Sequence, residues 1–291
     1  MILVDLTKMS SGYCDKLRCL TFGIATLNLA YKNKNKIINL IEKKNKECPY
    51  NIEDICKISN FTIIKKKFNK KIYKTISMSP YDSSINIKNV RKHNLFSNIP
   101  EHRLLNEWKR SYQLLVPSKK VTLALKKNNL PKNFFSVHIR ASDKVLSPLK
   151  KIFEIPHKQT ITQSQMDFFI KNIISISKKF TISKNVFIAS DVENIKFKVI
   201  KTFQEHNFKV FFNKMVFKNN FYRKTSAIDF GADLFCLKKS SLIISSTGGG
   251  VPETANLISG SNKYINFLKD TSYYDYLNFS SKIIYFLRKL K

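Results

Sequence analysis

The sequence predicts an α/β protein whose C-terminal half is built on a doubly wound, mainly parallel sheet. After Pro131, apolar runs of strand length alternate with helical segments, which is the pattern of a parallel sheet. A strand candidate at Met1–Leu6, a turn at Gly12 and a helical pattern open a second α/β unit in the N-terminal half. The 291 residues suffice for two ordinary domains, and we place these at 1–130 and 131–291.

The predicted elements of the C-terminal half alternate in type. Strands are predicted at 134–139, 185–190, 208–212, 241–245 and 263–267, and helices at 163–179, 192–206, 228–239 and 250–257. A closing helix is predicted at 272–291, either packed on the body or in contact with anionic lipid. In the N-terminal half, strands are predicted at 37–41, 61–64 and 71–76, and helices at 19–31, 51–56, 101–115 and 121–128. Residues 77–100 read as irregular.

Composition restricts the class of protein. The five cysteines form no C-x-x-C pair, which favours reduced cysteines over disulfides or a zinc site. No basic leader precedes Ile2, and the apolar run Cys19–Ala30 is too short to span a bilayer. We therefore expect a cytoplasmic protein, with peripheral contact at the inner face of the membrane as a further possibility.

The formal net charge of +32 is spread along the chain. Lysine, asparagine and isoleucine are abundant together, which indicates compositional bias as much as selection for a partner. Such a surface attracts phosphates, nucleic acids and anionic membranes. No zinc finger, basic zipper or RNP-type aromatic pattern accompanies the charge. We expect no specific nucleic-acid partner, and a basic nucleic-acid-binding protein is the alternative from another functional class.

The segment Phe134–Lys144 is the first candidate site. It begins as a buried strand and then places His138, Arg140, Asp143 and Lys144 within seven residues where the strand ends. Ligands of open α/β sheets bind at the carboxyl ends of strands. Arginine offers a planar fork to phosphate oxygens, and lysine offers a mobile point charge. The pattern indicates a site for an anionic ligand, and a solvated surface turn is the alternative.

Two more predicted strands end in polar residues. Asp191 follows one, and the other is followed by Ser246, Thr247, Gly248, Gly249 and Gly250. Glycines between a strand and a helix leave backbone N–H groups uncovered, as in anion-binding loops, and a flexible turn is the alternative. Asp191 either accepts from a ribose or a base, or caps the following helix. In a parallel sheet all three strand ends lie at one edge.

Acidic and basic residues near 230 are weaker candidates. Asp229 and Asp233 are each flanked by apolar residues, so one is expected to be partly buried and paired, or to interact with a helix dipole. Arg223 is a candidate ion-pair partner for one of these acids or a candidate phosphate contact.

The P-loop, G-x-S-x-G and D-x-D patterns are absent, so nothing in the sequence requires a divalent metal.

These blocks resemble the motifs of one enzyme family. His138–Val145 (H-I-R-A-S-D-K-V) resembles the H-V-R-R-T-D-K-V segment of α-1,6-fucosyltransferases and the related nodulation and protein O-fucosyltransferases. Phe187–Asp191 resembles their F-A-T-D-D block, and Ala232–Thr247 resembles D-L-F-L-L-S-x-C-D-x-x-V-x-T-x-S-S. Gly12–Arg18 is similar to the G-x-G-D-x-L opening of bacterial members. Order and spacing agree over most of residues 133–260.

The resemblance implies a GT-B-like fold of two facing Rossmann-like domains, with the acceptor side in residues 1–130. It implies inverting transfer of fucose from GDP-fucose to a glycan without a metal or other cofactor. Arg140 would hold the donor pyrophosphate and stabilise the departing GDP, while His138 would contact the phosphates or the ribose. Asp143 and Lys144 would shape the sugar and acceptor side. Asp191 would contact the nucleoside, and the loop of Ser246, Thr247, Gly248, Gly249 and Gly250 would donate to the β-phosphate. The predicted donor-binding set also includes Arg223, Gly12 and Asp15.

The sequence departs from the family pattern at two points. Ala141 stands in place of the family's second arginine, and Leu146–Leu149 replaces a glutamate that follows D-K-V. The general base is therefore not located by the resemblance, and Glu154, the nearest acid downstream, and Asp143 are the two candidates. A glycosyltransferase of the same fold that uses another nucleotide sugar is the alternative.

Overall fold

The computed structural model describes residues 2–9, 12–32, 36–44, 48–66, 68, 72–79, 82, 84–140, 145–146, 161–181, 183–213, 226–261 and 263–267. They form two compact units. The first contains residues up to Leu123 together with Leu257–Ser261, and the second contains Ala124–Asn256 and the residues after Ser261. The domain boundary predicted at residue 130 stays a prediction.

The first unit is organised on a four-stranded parallel sheet. Its strands are β1 (Ile2–Asp5), β2 (Ile37–Ile41), β4 (Thr62–Ile64) and β5 (Lys74–Ile76), in the order β4-β2-β1-β5. A separate antiparallel pair joins β3 (Cys56–Ile58) to β6 (Leu115–Pro117). The helices are α1 (Tyr13–Ala30), α2 (Ile52–Ile55), α3 (Ile87–His93), α4 (Glu101–Ser111) and α5 (Lys119–Lys126), and a 3₁₀ turn follows α4 at Tyr112–Leu114.

Helix α1 is the buried helix of the first unit. It carries apolar residues on most of its circumference, so nearly its whole length is buried. Trp108 of α4 packs edge-on against Phe22, with ring centroids 4.9 Å apart. The indole Nε1 donates to the Arg18 carbonyl and to Thr21 Oγ1, each at 3.2 Å. The only tryptophan therefore fixes α4 against α1 by both apolar contact and hydrogen bonds.

Replacing Gly23 of α1 by alanine is expected to lower the free energy of unfolding by about 1–3 kcal/mol. A Cβ built on Gly23 overlaps Val4 Cγ2 of β1, which forces the helix away from the sheet. The clash outweighs the helix preference of alanine over glycine, about 1 kcal/mol. Urea denaturation checks this value. The double variant G23A/V4A removes the overlap, so it should lose less stability than the two single variants added together; simple additivity contradicts the account.

The second unit is organised on a five-stranded parallel sheet. Its strands are β7 (Phe135–Ile139), β10 (Asn185–Ser190), β11 (Lys209–Phe211), β12 (Ile243–Ser245) and β13 (Tyr264–Asn266), in the order β11-β10-β7-β12-β13. The helices are α6 (Gln163–Phe180), α7 (Glu193–Glu205), α8 (Ala227–Lys239) and α9 (Gly250–Ser259). A short parallel pair joins β8 (Val145–Leu146) to β9 (Ile161–Thr162).

The strand order places a topological switch point at β7. The chain adds β10 and β11 on one side of β7 and then crosses to add β12 and β13 on the other. In doubly wound sheets, ligands bind outside the carboxyl ends of the strands where this reversal occurs. In the first sheet the chain likewise places β2 and β4 on one side of β1 and β5 on the other. The α/β class with parallel sheets is confirmed.

The core of the second unit is continuous between the sheet and two helices. Phe135, Val137 and Ile139 of β7 pack against α6 and α7. The apolar face predicted for α6 is buried in this cluster, and it consists of Met166, Phe169, Ile170, Ile173 and Ile174. β7 is buried at every position, so packing in this core fixes the position of its carboxyl end.

Two predictions for the N-terminal half are wrong. Residues 77–100 contain α3, which Asn86 caps by accepting a hydrogen bond from the Asn89 N–H at 2.9 Å. The helix predicted to reach residue 115 ends at Ser111, because Leu115–Pro117 pairs with β3. The closing helix predicted at 272–291 lies outside the described residues.

Candidate functional site

The central strand β7 carries the first candidate residues to the carboxyl edge of the second sheet. His138 lies in register with Ala189 of β10 and with Ser245 of β12. The loop after β12 is fixed to this strand end by two hydrogen bonds. The Ser246 N–H donates to the His138 carbonyl at 3.0 Å, and the Arg140 N–H donates to Ser246 Oγ at 3.3 Å. The structure therefore joins two of the three predicted strand ends directly.

The side-chain hydroxyl groups at the end of β12 and in the following loop donate hydrogen bonds to carbonyl groups of that loop. Ser245 Oγ donates to the Thr247 carbonyl at 2.6 Å, and Thr247 Oγ1 donates to the Gly248 carbonyl at 3.2 Å. Ser246 and Thr247 are fully buried. These bonds give the loop a defined shape, which the alternative of a flexible turn does not predict. The donor contacts predicted for the two hydroxyls stay predictions.

Gly249 lies beside the Arg140 side chain. A Cβ on Gly249 would stand 3.7 Å from both Cδ and Nη1 of Arg140, so the backbone passes directly along the guanidinium. Helix α9 begins at the next residue, Gly250. The first amides of a helix have no intrahelical acceptor and carry the positive end of the helix dipole. In α9 these amides belong to Gly250 and Val251, because Pro252 has no N–H. The guanidinium and the helix N-terminus therefore present positive charge and N–H donors side by side.

The imidazole of His138 is neutral near pH 7. Burial, reinforced by the neighbouring Arg140 cation, lowers its pKa to about 3. Its Nδ1 atom lies 3.3 Å from Ser245 Oγ. Of these two residues, Arg140 and not His138 therefore carries a positive charge near pH 7.

Asp191 lies at the same edge, directly after β10. Helix α7 has Val192 as its N-cap residue, with no side-chain cap, so the alternative role of Asp191 as the cap is wrong. Ser190 instead accepts from the Val192 N–H at 3.2 Å. Asp191 is half-buried. Its contact with a ribose or a base stays a prediction.

Gly12 and Asp15 belong to the first unit. Gly12 has φ 136° and ψ 173° and precedes α1, which confirms the predicted glycine turn. Asp15 Oδ1 accepts from Arg18 Nη1 at 2.5 Å in the first turns of this helix. Their donor-binding roles stay predictions. Asp143, Lys144, Glu154 and Arg223 lie outside the described residues.

A buried polar cluster at the neighbouring strand end was not predicted as a unit. Lys196 of α7 donates to the Asn213 carbonyl at 2.8 Å, and the Asn213 side chain donates to Asp233 of α8 and accepts from Asn128. Burial raises the pKa of Asp233 to about 6, against the opposing attraction of Lys196. The sequence predicted that either Asp229 or Asp233 is buried and paired, and the structure shows that this residue is Asp233. Asp229 lies in the first turn of α8 and accepts a hydrogen bond from Ser226 Oγ at 2.7 Å.

Asn266 is a further polar residue that sequence analysis did not select. It ends β13 in register with Ser245 and is buried. The available signal was its place at the end of an apolar strand, the same signal that selected Asp191. It adds an amide side chain to the edge that carries His138 and Arg140.

Metal-binding and membrane-spanning features are absent from the part of the chain that the structure describes. Its histidine, cysteine and acidic side chains form no group of three suited to holding a metal ion. All five cysteines are buried, and none of them is in a disulfide. None of its helices has the length and apolar character needed to cross a bilayer.

Comparisons with known proteins give structural neighbours only. No protein-family model matches the chain, and no curated protein matches it. The crystal structure of NodZ alpha-1,6-fucosyltransferase soaked with GDP-fucose has a TM-score of 0.49 at 12% identity, covering 88% of this chain and 91% of that one. The crystal structure of POFUT1 in complex with GDP has a TM-score of 0.47 at 13% identity, covering 90% and 96%.

Proposed function

We propose that the chain is an inverting, metal-independent glycosyltransferase that moves fucose from GDP-fucose to a glycan acceptor. The observation that supports it most is the pairing of Arg140 with Gly249 and the start of α9, at the switch point of the second sheet. This arrangement suits a diphosphate, because a planar guanidinium and helix N-terminal amides both donate to phosphate oxygens. The H-x-R-x-x-D-K motif around Arg140 favours GDP-fucose among nucleotide sugars.

The reaction breaks the bond between the sugar's anomeric carbon and the β-phosphate oxygen of the donor. Negative charge then builds on the diphosphate, so donors already aimed at it lower the barrier. Arg140 and the first amides of α9 supply this stabilisation, and the hydrogen bonds between β7 and the loop keep them in place. Asp143 or Glu154 takes the proton of the acceptor hydroxyl, which attacks from the opposite face.

Thermal shift with a panel of nucleotides tests the choice of donor. We expect GDP and GDP-fucose to raise the melting temperature more than UDP, ADP or UDP-sugars at equal concentration, because ligand that binds only the folded state stabilises it. Arg140→Ala should remove most of the GDP shift, while Arg91→Ala, an exposed arginine paired with Glu101, should keep it. An equal response to GDP and UDP, or none to any nucleotide, contradicts the proposal.

A second candidate is a transferase of the same fold that uses another nucleotide sugar. Ala141 in place of the family's second arginine favours it, since one phosphate or sugar contact of the motif is absent. The same nucleotide panel separates the two, because this candidate predicts a larger shift with a nucleotide other than GDP.

A further inference from the structure

Lysines lie at the starts of most strands of the second sheet. Lys209 is the first residue of β11, and Lys184 directly precedes β10. Lys132 lies shortly before β7, and Lys263 directly precedes β13. Because all five strands are parallel, their starts lie together at the amino edge of the sheet, opposite the edge that carries Arg140.

Hydrogen bonds hold these strand starts in one row. The Lys209 N–H donates to the Lys184 carbonyl at 2.9 Å, and the Asn185 side chain donates to the Asn133 carbonyl at 3.0 Å. On the other side of β7, the first N–H of β12 donates to the Lys263 carbonyl at 2.7 Å. Neighbouring strands are roughly 5 Å apart, which is less than the Debye length of about 8 Å at physiological ionic strength, so these charges act together.

Two helices end at the same edge and add further lysines. α6 leads into β10 and α8 leads into β12, and their last turns carry Lys178, Lys179, Lys238 and Lys239. The negative end of the helix dipole favours lysine at these positions, but it does not account for the lysines at the strand starts. Among the described residues of this edge, Glu205 at the end of α7 is the only acid, and it lies 3.9 Å from a lysine of its own helix.

Acidic residues of the second unit collect at the opposite edge. Asp191 follows β10, and Glu193, Asp229 and Glu253 lie in the first turns of α7, α8 and α9. Compositional bias spreads lysines along a chain, but it does not separate them from acids in this way. The residues that we call the basic edge are Lys132, Lys178, Lys179, Lys184, Lys209, Lys238, Lys239 and Lys263.

Two lysines of the basic edge are half-buried and repel each other. Lys263 Nζ donates to the Lys238 carbonyl at 3.0 Å. Burial, and then the neighbouring Lys239 cation, lowers the pKa of Lys238, while burial and then the Lys238 cation lower the pKa of Lys263. No acidic group among the described residues opposes either shift. An anion from outside the chain would therefore stabilise the charged form of both side chains.

We propose that the basic edge binds the surface of a membrane that contains anionic lipids. Every residue that defines this edge is a lysine, which acts as a point charge and needs no fixed geometry in its partner. Clustered lysines are attracted by the negative potential of anionic headgroups. Phe180, the last residue of α6, is 42% exposed, and its ring centroid lies 5.4 Å from Lys179 Nζ. An exposed aromatic ring beside lysines suits the boundary between headgroups and acyl chains.

A nucleic acid is the other polyanion that such charge attracts, and the basic edge fits it less well. Single strands bind where several aromatic side chains stack on successive bases, and base pairs are read mainly by arginine forks. Phe180 is the only exposed large aromatic residue among the described residues of this edge, and none of its lysines is replaced by arginine. The five residues of β7 span roughly 17 Å, so a bilayer at the basic edge leaves the edge of Arg140 directed away from the lipid.

Removal of three strand-start lysines tests the proposal, with Lys132→Gln, Lys184→Gln and Lys209→Gln combined in one chain. All three side chains are exposed and lie at the edge opposite Arg140, so the melting temperature should change little. Cosedimentation of the full chain with vesicles of phosphatidylcholine and phosphatidylglycerol measures binding at physiological ionic strength. We expect about 100-fold weaker binding, since each lysine near an anionic surface contributes a factor of about five.

The matched control combines Lys57→Gln, Lys88→Gln and Lys109→Gln. These substitutions remove the same charge from exposed positions of the first unit. Because distant charges are screened by salt, the control should bind the mixed vesicles within a few-fold of the unaltered chain. Equal losses in the two triple variants overturn the proposal. Binding of the unaltered chain to pure phosphatidylcholine as tight as to the mixed vesicles also overturns it.

Phe180→Ala separates a membrane from a nucleic acid. Loss of the ring should weaken vesicle binding about tenfold, because less apolar area enters the lipid, and it should leave binding to polyuridylate RNA unchanged. Tight RNA binding that the strand-start variant loses, with vesicle binding unaffected by either change, overturns the proposal and assigns the basic edge to nucleic acid. The assay contains no nucleotide sugar, so its result does not depend on the proposed function.

Discussion

Replacing Arg140 by alanine is expected to reduce the rate of fucose transfer by about 100- to 1,000-fold, the effect of removing one donor that is aimed at developing charge. The guanidinium lies along Gly249 at the start of α9, so its loss leaves the departing diphosphate with the helix amides alone. Release of GDP from GDP-fucose, followed under single-turnover conditions, measures the effect. The rate should fall further than the affinity for GDP, because charge on the diphosphate grows during bond breaking.

Arg140→Lys and Arg91→Ala are the matched controls for this experiment. Lysine keeps the charge but loses the planar fork, so an intermediate rate is expected. Arg91 is an exposed arginine of the first unit, and its loss should leave the rate unchanged. The account is contradicted if Arg140→Ala turns over GDP-fucose as fast as Arg91→Ala does.

Replacing Asp233 by alanine is expected to lower the free energy of unfolding by about 1–3 kcal/mol, the cost of leaving a buried hydrogen-bond donor unsatisfied. The substitution leaves the Asn213 amide without its acceptor, and it removes the acidic group that contributes most to the electrostatic environment of Lys196. Asp229→Ala, four residues earlier on α8 and only half-buried, should cost much less. Urea denaturation at pH 7.5 measures both. Equal losses for the two variants contradict the account.

The raised pKa of Asp233 predicts that the free energy of unfolding depends on pH. Burial raises the pKa of Asp233 from 3.8 to about 6, so between these values the folded state holds a proton that the unfolded chain releases. Stability contributed by this group is therefore complete below about pH 4 and is lost as the pH rises through 6. Comparing the unaltered chain with Asp233→Asn isolates it, since the amide does not titrate. The free-energy difference between the two should change across this window and be flat above pH 7.

Much of the second unit could be predicted because its strands alternate with long helices. Every strand of its sheet was expected, whereas the register of β7 with β10 and β12 is given only by the structure. The N-terminal half was harder, because short elements such as β6 depend on a partner strand, β3, that is distant in the sequence. Propensity alone does not contain such tertiary preferences.

The candidate site was predictable where its residues follow strands. His138, Arg140 and Ser246–Gly250 were selected by position, and the structure joins them by hydrogen bonds and contact. Lys196 was not selected, because one lysine among 52 basic residues carries no distinguishing signal in the sequence. The neutral state of His138 also required coordinates, since it depends on the burial of the ring and on the neighbouring Arg140 charge.

The most direct test of the central proposal is GDP release from GDP-fucose by the purified chain in the presence of EDTA. Water replaces the glycan acceptor in this assay, so the turnover is slow and requires only the donor site. We expect GDP and free fucose in equal amounts, no release from UDP-sugars, and loss of the activity in Arg140→Ala. Binding of GDP-fucose without turnover, or turnover that needs an added divalent cation, would contradict the account.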